Sequence, residues 1–173
     1  MSKRKATAAS GPRVLLGHGA SGTAASMRPW VTELALHGVR AVTLDLPRST
    51  ADRAVGVFRA ALEHEPGAAI GGHSFGGRMA SLLAADQPVK ALVLLSYPLH
   101  RPGHPDDLRT EHWPRIACPV LLLSGDRDPF AKVDLLRNEV RRLRSAELVI
   151  YPGLGHGLLA VRKEAAARIA AFL

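Results

Sequence analysis

Short β-branched or leucine-rich runs near residues 13–17, 39–45, 68–73, 90–96, 119–124 and 147–151 alternate with segments whose apolar residues recur at helical spacing. That alternation constrains the fold more than any other feature. A strand followed by a helix and another strand closes as a parallel crossover, so the pattern predicts an α/β architecture. About six mostly parallel strands are expected, flanked by helices on both faces. Gly38 after the 24–37 pattern and Pro88 after the 75–86 pattern read as helix stops. Ser49 or Thr50 can cap the helix that runs to about His64. No internal repeat or low-complexity linker interrupts the pattern, which predicts a single domain over residues 12–173 behind a mobile basic tail at 1–11.

Composition bounds the functional class. With 173 residues, 47% of them hydrophobic, the chain is long enough to bury a full core. No run approaches the roughly 20 apolar residues of a membrane span, and Met1-Ser2-Lys3-Arg4-Lys5 has charge without a following apolar signal core, so a cytoplasmic protein is expected. The single cysteine, Cys118, excludes an internal disulfide and a cysteine-based metal cluster; beside Pro119 and a strand-like run it reads as a buried structural thiol. A net charge of +8 raises the question of a nucleic-acid partner. Apart from Lys3-Arg4-Lys5 and Arg137, Arg141, Arg142 and Arg144, however, the basic residues are scattered among acids, with no aromatic-interleaved stripe. No specific nucleic-acid partner is expected, although the two clusters can attract anions at low salt. A homo-oligomer is compatible with the sequence.

The residues that carry chemistry gather where the expected strands end, which is where an open parallel sheet binds its ligands. His18-Gly19-Ala20-Ser21-Gly22 follows the first strand, and Gly72-His73-Ser74-Phe75-Gly76 joins the third strand to a helix. Gly125-Asp126-Arg127-Asp128-Pro129 and Gly153-Leu154-Gly155-His156-Gly157 follow the last two. The G-x-S-x-G pentad alone is a modest signal, because a glycine-rich chain produces it by chance. The order Ser, Asp, His after successive strands strengthens it. Acyl transfer needs a nucleophile, a base, a carboxylate that holds the base in one tautomer and N–H donors for an oxyanion. Ser74 is the candidate nucleophile and His156 the base. Asp128 is the preferred acid, with Asp126 as the fallback that would otherwise cap the next helix or pair with an arginine. The backbone N–H groups of Phe75 and Ala20 are the expected oxyanion donors.

A competing motif is Gly17-x-Gly19-x-x-Gly22 after the first strand, with Asp45 at the end of the next, which matches a dinucleotide fingerprint. Under that reading the later Ser, Asp and His loops have no role. The His and Asp residues show no clustered ligand spacing, so neither metal nor organic cofactor is expected.

These residues resemble the α/β-hydrolase superfamily. Leu95-Ser96-Tyr97-Pro98-Leu99-His100-Arg101-Pro102-Gly103, Leu108-Arg109, Glu111-His112 and Ser124-Gly125-x-x-Asp128-Pro129-Phe130 are similar to a small, dienelactone-hydrolase-like family. That family includes testis-expressed protein 30 and a domain in a regulatory subunit of a histone acetyltransferase complex. The likeness covers roughly residues 13–173 and implies a Ser74, Asp128 and His156 triad. Measured against larger hydrolases, it implies a minimal fold without leading antiparallel strands or a lid domain, since only 97–118 separates two core strands. His18, Tyr97, His100, Trp113 and Phe130 could then line the substrate pocket. The expected function is serine hydrolysis of a small ester, thioester or lactone as acyl substrate. The alternatives are transfer of the acyl group to another acceptor, or a binding or scaffold protein that keeps the cleft without turnover.

Overall fold

Strands β1 (Arg13–Gly17), β2 (Arg40–Leu44), β3 (Ala69–His73), β4 (Leu92–Leu95), β5 (Val120–Gly125) and β6 (Ala146–Tyr151) form one sheet in the order β2-β1-β3-β4-β5-β6. The structure, a computed structural model, describes residues 11–173, so nearly all of the expected basic tail lies outside the described residues. Every pairing is parallel, where a mostly parallel sheet was expected. Helices α1 (Arg28–Ala35), α2 (Ala51–His64), α3 (Phe75–Asp86), α4 (Val133–Val140) and α5 (Arg162–Phe172) make the crossovers and close the chain. None is long and apolar enough to cross a membrane.

The strand side chains alternate between two cores. Leu15, Ile70, Leu92, Leu94 and Leu122 pack with Phe58 of α2, Met79 and Leu83 of α3 and Leu136 of α4. The intervening Val14, Leu16, Val93, Leu121 and Leu123 pack with Trp30 and Leu34 of α1 and with Ala165 and Ile169 of α5. Each fully buried aliphatic or aromatic side chain contributes about 1.5–3 kcal/mol relative to an exposed one, which makes both faces of the sheet apolar by necessity.

Local signals mark the helix ends. Thr50, not Ser49, caps α2, its hydroxyl oxygen accepting from Arg53 N–H at 3.3 Å. Gln87 is extended ahead of Pro88, which ends α3 as expected. The 24–37 pattern divides into a 3₁₀ turn over Ala24–Met27 and α1, which has a proline in its first turn. Between β4 and β5 the chain makes only one three-residue 3₁₀ turn, Trp113–Arg115, so no helical lid is inserted.

Sheet order positions the functional edge. The chain runs from β1 outward to β2, then returns to place β3 on the other side of β1. The carboxyl ends of β1 and β3 therefore flank the switch point where open α/β sheets form a ligand crevice. They finish level, with Gly17 opposite Gly72.

Candidate active site

Ser74 occupies the single-residue corner between β3 and α3, with φ 49° and ψ −112°. Such a conformation costs a non-glycine residue about 1–3 kcal/mol and persists only where the surroundings impose it. Here Ser74 N–H donates to Leu95 C=O at 2.9 Å, Arg78 N–H donates to Ser74 C=O at 3.0 Å, and Gly76 N–H donates to His18 C=O at 3.0 Å. A Cβ on Gly76 would lie 2.3 Å from the carbonyl carbon of Gly17, and one on Gly72 would lie 2.3 Å from the Gly17 oxygen. The pentad glycines thus let α3 press against the backbone of β1, and the corner follows from that approach.

The loop after β6 reaches the same point through contacts with the end of β5. A Cβ on Gly125 would sit 2.1 Å from Leu154 C=O, so only glycine admits this approach. Arg127 N–H donates to Leu154 C=O at 2.9 Å, and Gly153 N–H donates to Asp126 Oδ1 at 2.7 Å. Asp126 therefore ties down the histidine loop, in place of the helix cap or arginine pair expected of it.

Asp128 has a fully buried side chain, held by Phe130 N–H at 2.8 Å from Oδ1. His156 Nδ1 lies 2.9 and 2.8 Å from its two oxygens, and His156 Nε2 lies 2.8 Å from Ser74 Oγ. A carboxylate only accepts, so Nδ1–H donates to Asp128 and leaves Nε2 to accept from the Ser74 hydroxyl. The Phe130 ring packs 4.4 Å from the His156 ring. His73 was absent from the sequence-based site, yet its Nε2–H donates to His156 C=O at 2.9 Å. Burial lowers the His73 pKa, against the opposing effect of that bond. A neutral His73 can thus hold the backbone of His156.

Ser74 opens into a cavity of about 570 Å³ whose walls include Ala20, Phe75, Trp30 and Phe130. Among the described residues, the N–H groups of Ala20 and Phe75 donate to no backbone carbonyl. Of the five expected pocket residues, Phe130 lines the cavity, whereas His18, Tyr97, His100 and Trp113 do not. Each of those four is consumed by structure. His18 Nε2 accepts from Leu46 N–H at 2.9 Å, and His100 Nε2 accepts from Lys132 N–H at 3.0 Å. Tyr97 donates to Arg109 C=O at 2.6 Å, and Trp113, fully buried, meets its ring edge-on at 5.0 Å. Their places at the wall are taken by Trp30, His73, Arg78, Arg109 and Leu159, which sequence reasoning missed. His73, beside Ser74 in the pentad, and Arg78, one helical turn beyond it, had a positional signal; Trp30 and Leu159 had none.

The residues of the dinucleotide-like string serve the loop itself. Gly17 supports the crossing with α3, Gly22 N–H closes a turn onto Gly19 C=O at 2.9 Å, and Asp45 Oδ1 accepts from Ala24 N–H at 2.6 Å.

A family model described as an alpha/beta hydrolase domain matches residues 48–170, well over half of the chain and including all three members of the hydrogen-bonded relay. The chain belongs to the α/β-hydrolase family. Solved structures agree on the fold of this α/β hydrolase. A monoacylglycerol lipase from Paleococcus ferrophilus superposes with a TM-score of 0.82 at 16% identity, covering 94% of this chain and 95% of the lipase. Est1E from Butyrivibrio proteoclasticus, solved with ferulic acid bound, gives a TM-score of 0.79 at 17% identity, covering 93% and 88% respectively. The thioesterase domain from the curacin biosynthetic pathway gives 0.74 at 18% identity, covering 94% and 90%.

Proposed function

We propose that this α/β hydrolase is a serine hydrolase that cleaves an ester or thioester through an acyl-enzyme on Ser74. The observation that carries this reading is the unbroken relay from Ser74 Oγ through His156 to Asp128, at 2.8 Å on each side of the imidazole. Ser74 Oγ attacks the acyl carbon while its proton moves to His156 Nε2, and the buried carboxylate of Asp128 stabilises the imidazolium. The N–H groups of Phe75 and Ala20 receive the oxyanion. His156 returns the proton to the departing alcohol or thiol, then takes one from water as that water attacks the acyl carbon. Collapse releases the acid and restores the Ser74 hydroxyl. The lipase, esterase and thioesterase among the similar folds are consistent with acyl chemistry of this type. The Ser96–His100 stretch, which carries the likeness to the testis-expressed protein 30 group, would supply structural support for the cavity wall.

The test is covalent labelling of intact protein with a fluorophosphonate, read by mass spectrometry. One adduct at Ser74 is expected, and Ser74→Ala should abolish it together with ester hydrolysis, a loss of at least about 10⁴-fold in kcat/KM. Undiminished turnover by Ser74→Ala would refute the reading.

A further inference from the structure

Two arginines face the cavity beside Ser74 in a wall that is otherwise mainly apolar. Arg78 lies four residues beyond Ser74 on α3, about 6 Å along the helix axis, and its Nε is buried without a hydrogen-bond partner. Arg109 comes from the segment between β4 and β5, and its backbone is pinned: Tyr97 donates to its carbonyl, and its own N–H donates to Leu99 C=O at 2.9 Å. The next residue, Thr110, is fully buried and donates to Glu139.

Among the described residues no carboxylate lies within 4.0 Å of either guanidinium. Asp107, two residues before Arg109, pairs with Arg101 at 2.9 Å, and Glu111, two residues after it, is exposed and makes no ion pair with Arg109. Burial and, after it, the charge of Arg78 lower the Arg109 pKa, which places the two cations within each other's field. Asp107 offsets this in part from a distance, but two cations held together in a half-buried wall without a carboxylate in contact are better stabilised when a ligand supplies a counter-charge.

We infer that Arg78 and Arg109 form an oxyanion subsite, so that the ester cleaved at Ser74 carries a second, anionic group, a carboxylate or a phosphate. This inference rests on the hydrolase reading above. Guanidinium forks match both oxyanions in geometry. The apolar walls around Trp30, Phe130 and Leu159 would take the short hydrocarbon spacer between the anion and the scissile carbonyl.

Matched esters test it by pH-stat kinetics. Monomethyl adipate is compared with methyl hexanoate, and 4-acetoxybutanoate with butyl acetate, which place the charge on the acyl and alcohol sides in turn. 3-Acetoxypropyl phosphate distinguishes phosphate from carboxylate. At least one anionic ester should exceed its neutral counterpart by about ten- to a hundredfold in kcat/KM, as charge-assisted hydrogen bonds imply. Arg78→Gln and Arg109→Gln should each reduce that ratio at least tenfold, with folding verified by circular dichroism. Arg59→Gln, which removes a charge from the exposed face of α2, should leave the ratio unchanged.

A binding measurement separates this inference from the hydrolytic reading. In Ser74→Ala, Trp30 fluorescence should respond saturably to monomethyl adipate but not to methyl hexanoate, and the response should vanish with Arg78→Gln. Loss of all turnover with this binding preference intact would defeat only the hydrolase reading. Equal kcat/KM within both ester pairs and the phosphate ester, or an anionic preference unaffected by either arginine substitution, would overturn the subsite.

Discussion

At the scale of single residues, the two neighbouring acids show how position divides labour between identical side chains. Asp128 is buried against His156, whereas Asp126 accepts from the backbone of Gly153 at the foot of the same loop. Asp128→Asn removes the carboxylate that orients and balances the imidazole, and kcat/KM should fall about 10³–10⁴-fold in an ester assay. Asp126→Asn keeps an acceptor oxygen for Gly153 N–H and should cost less than about tenfold in the same assay. The Ser, Asp and His types and their order were readable in the chain. The preference for Asp128 over Asp126 agrees with the motif resemblance, since Asp128 stands just before Pro129 where the chain leaves the strand, while the direction each carboxylate faces is settled by the turn. Ring orientation was less readable still. His18, Tyr97 and His100 sit near strand ends as expected, but their polar atoms are satisfied by backbone groups behind the cavity wall.

Elements meet at this site because glycine removes side chains where backbones must touch. Gly125→Ala would force a Cβ into Leu154 C=O, and neither backbone can yield cheaply. The loop bearing His156 should move away, with a loss of about 1–3 kcal/mol in denaturant unfolding and fluorophosphonate labelling slowed at least about tenfold. Gly56 in the middle of α2 provides the contrast, since a Cβ there meets nothing within 4 Å. Gly56→Ala should stabilise the protein by about 0.5–1 kcal/mol, because it lowers the entropy cost of ordering the helix. Both positions are glycines in the sequence. Only the packing partners tell a required glycine from a tolerated one.

For the whole molecule, acid stability is linked to a buried histidine that is not part of the relay. His112 Nε2 lies 2.8 Å from Ser81 Oγ, and burial lowers its pKa from 6.5 to about 4. Between those values the unfolded chain binds a proton that the native protein refuses. Its contribution to stability is therefore complete above pH 6.5 and is lost as pH falls toward 4. Urea unfolding across that range should show stability falling by at most about 1.4 kcal/mol per pH unit from this group, and His112→Gln should flatten the slope. At this scale the basic surface also acquires an explanation, since Arg137, Arg141 and Arg142 are engaged locally by Asp134, Asn138 and Glu139. The sequence by itself determined the number and direction of the strands, the helix stops and the four loops of one sheet edge, because apolar periodicity and turn chemistry act over a few residues. Tertiary structure alone decided that β3 returns beside β1, that residues 82 positions apart share a hydrogen bond, and that Arg78 and Arg109 face a cavity. Those outcomes depend on which surfaces pack together, and neighbouring residues in the chain carry no record of a partner that folding brings from far away.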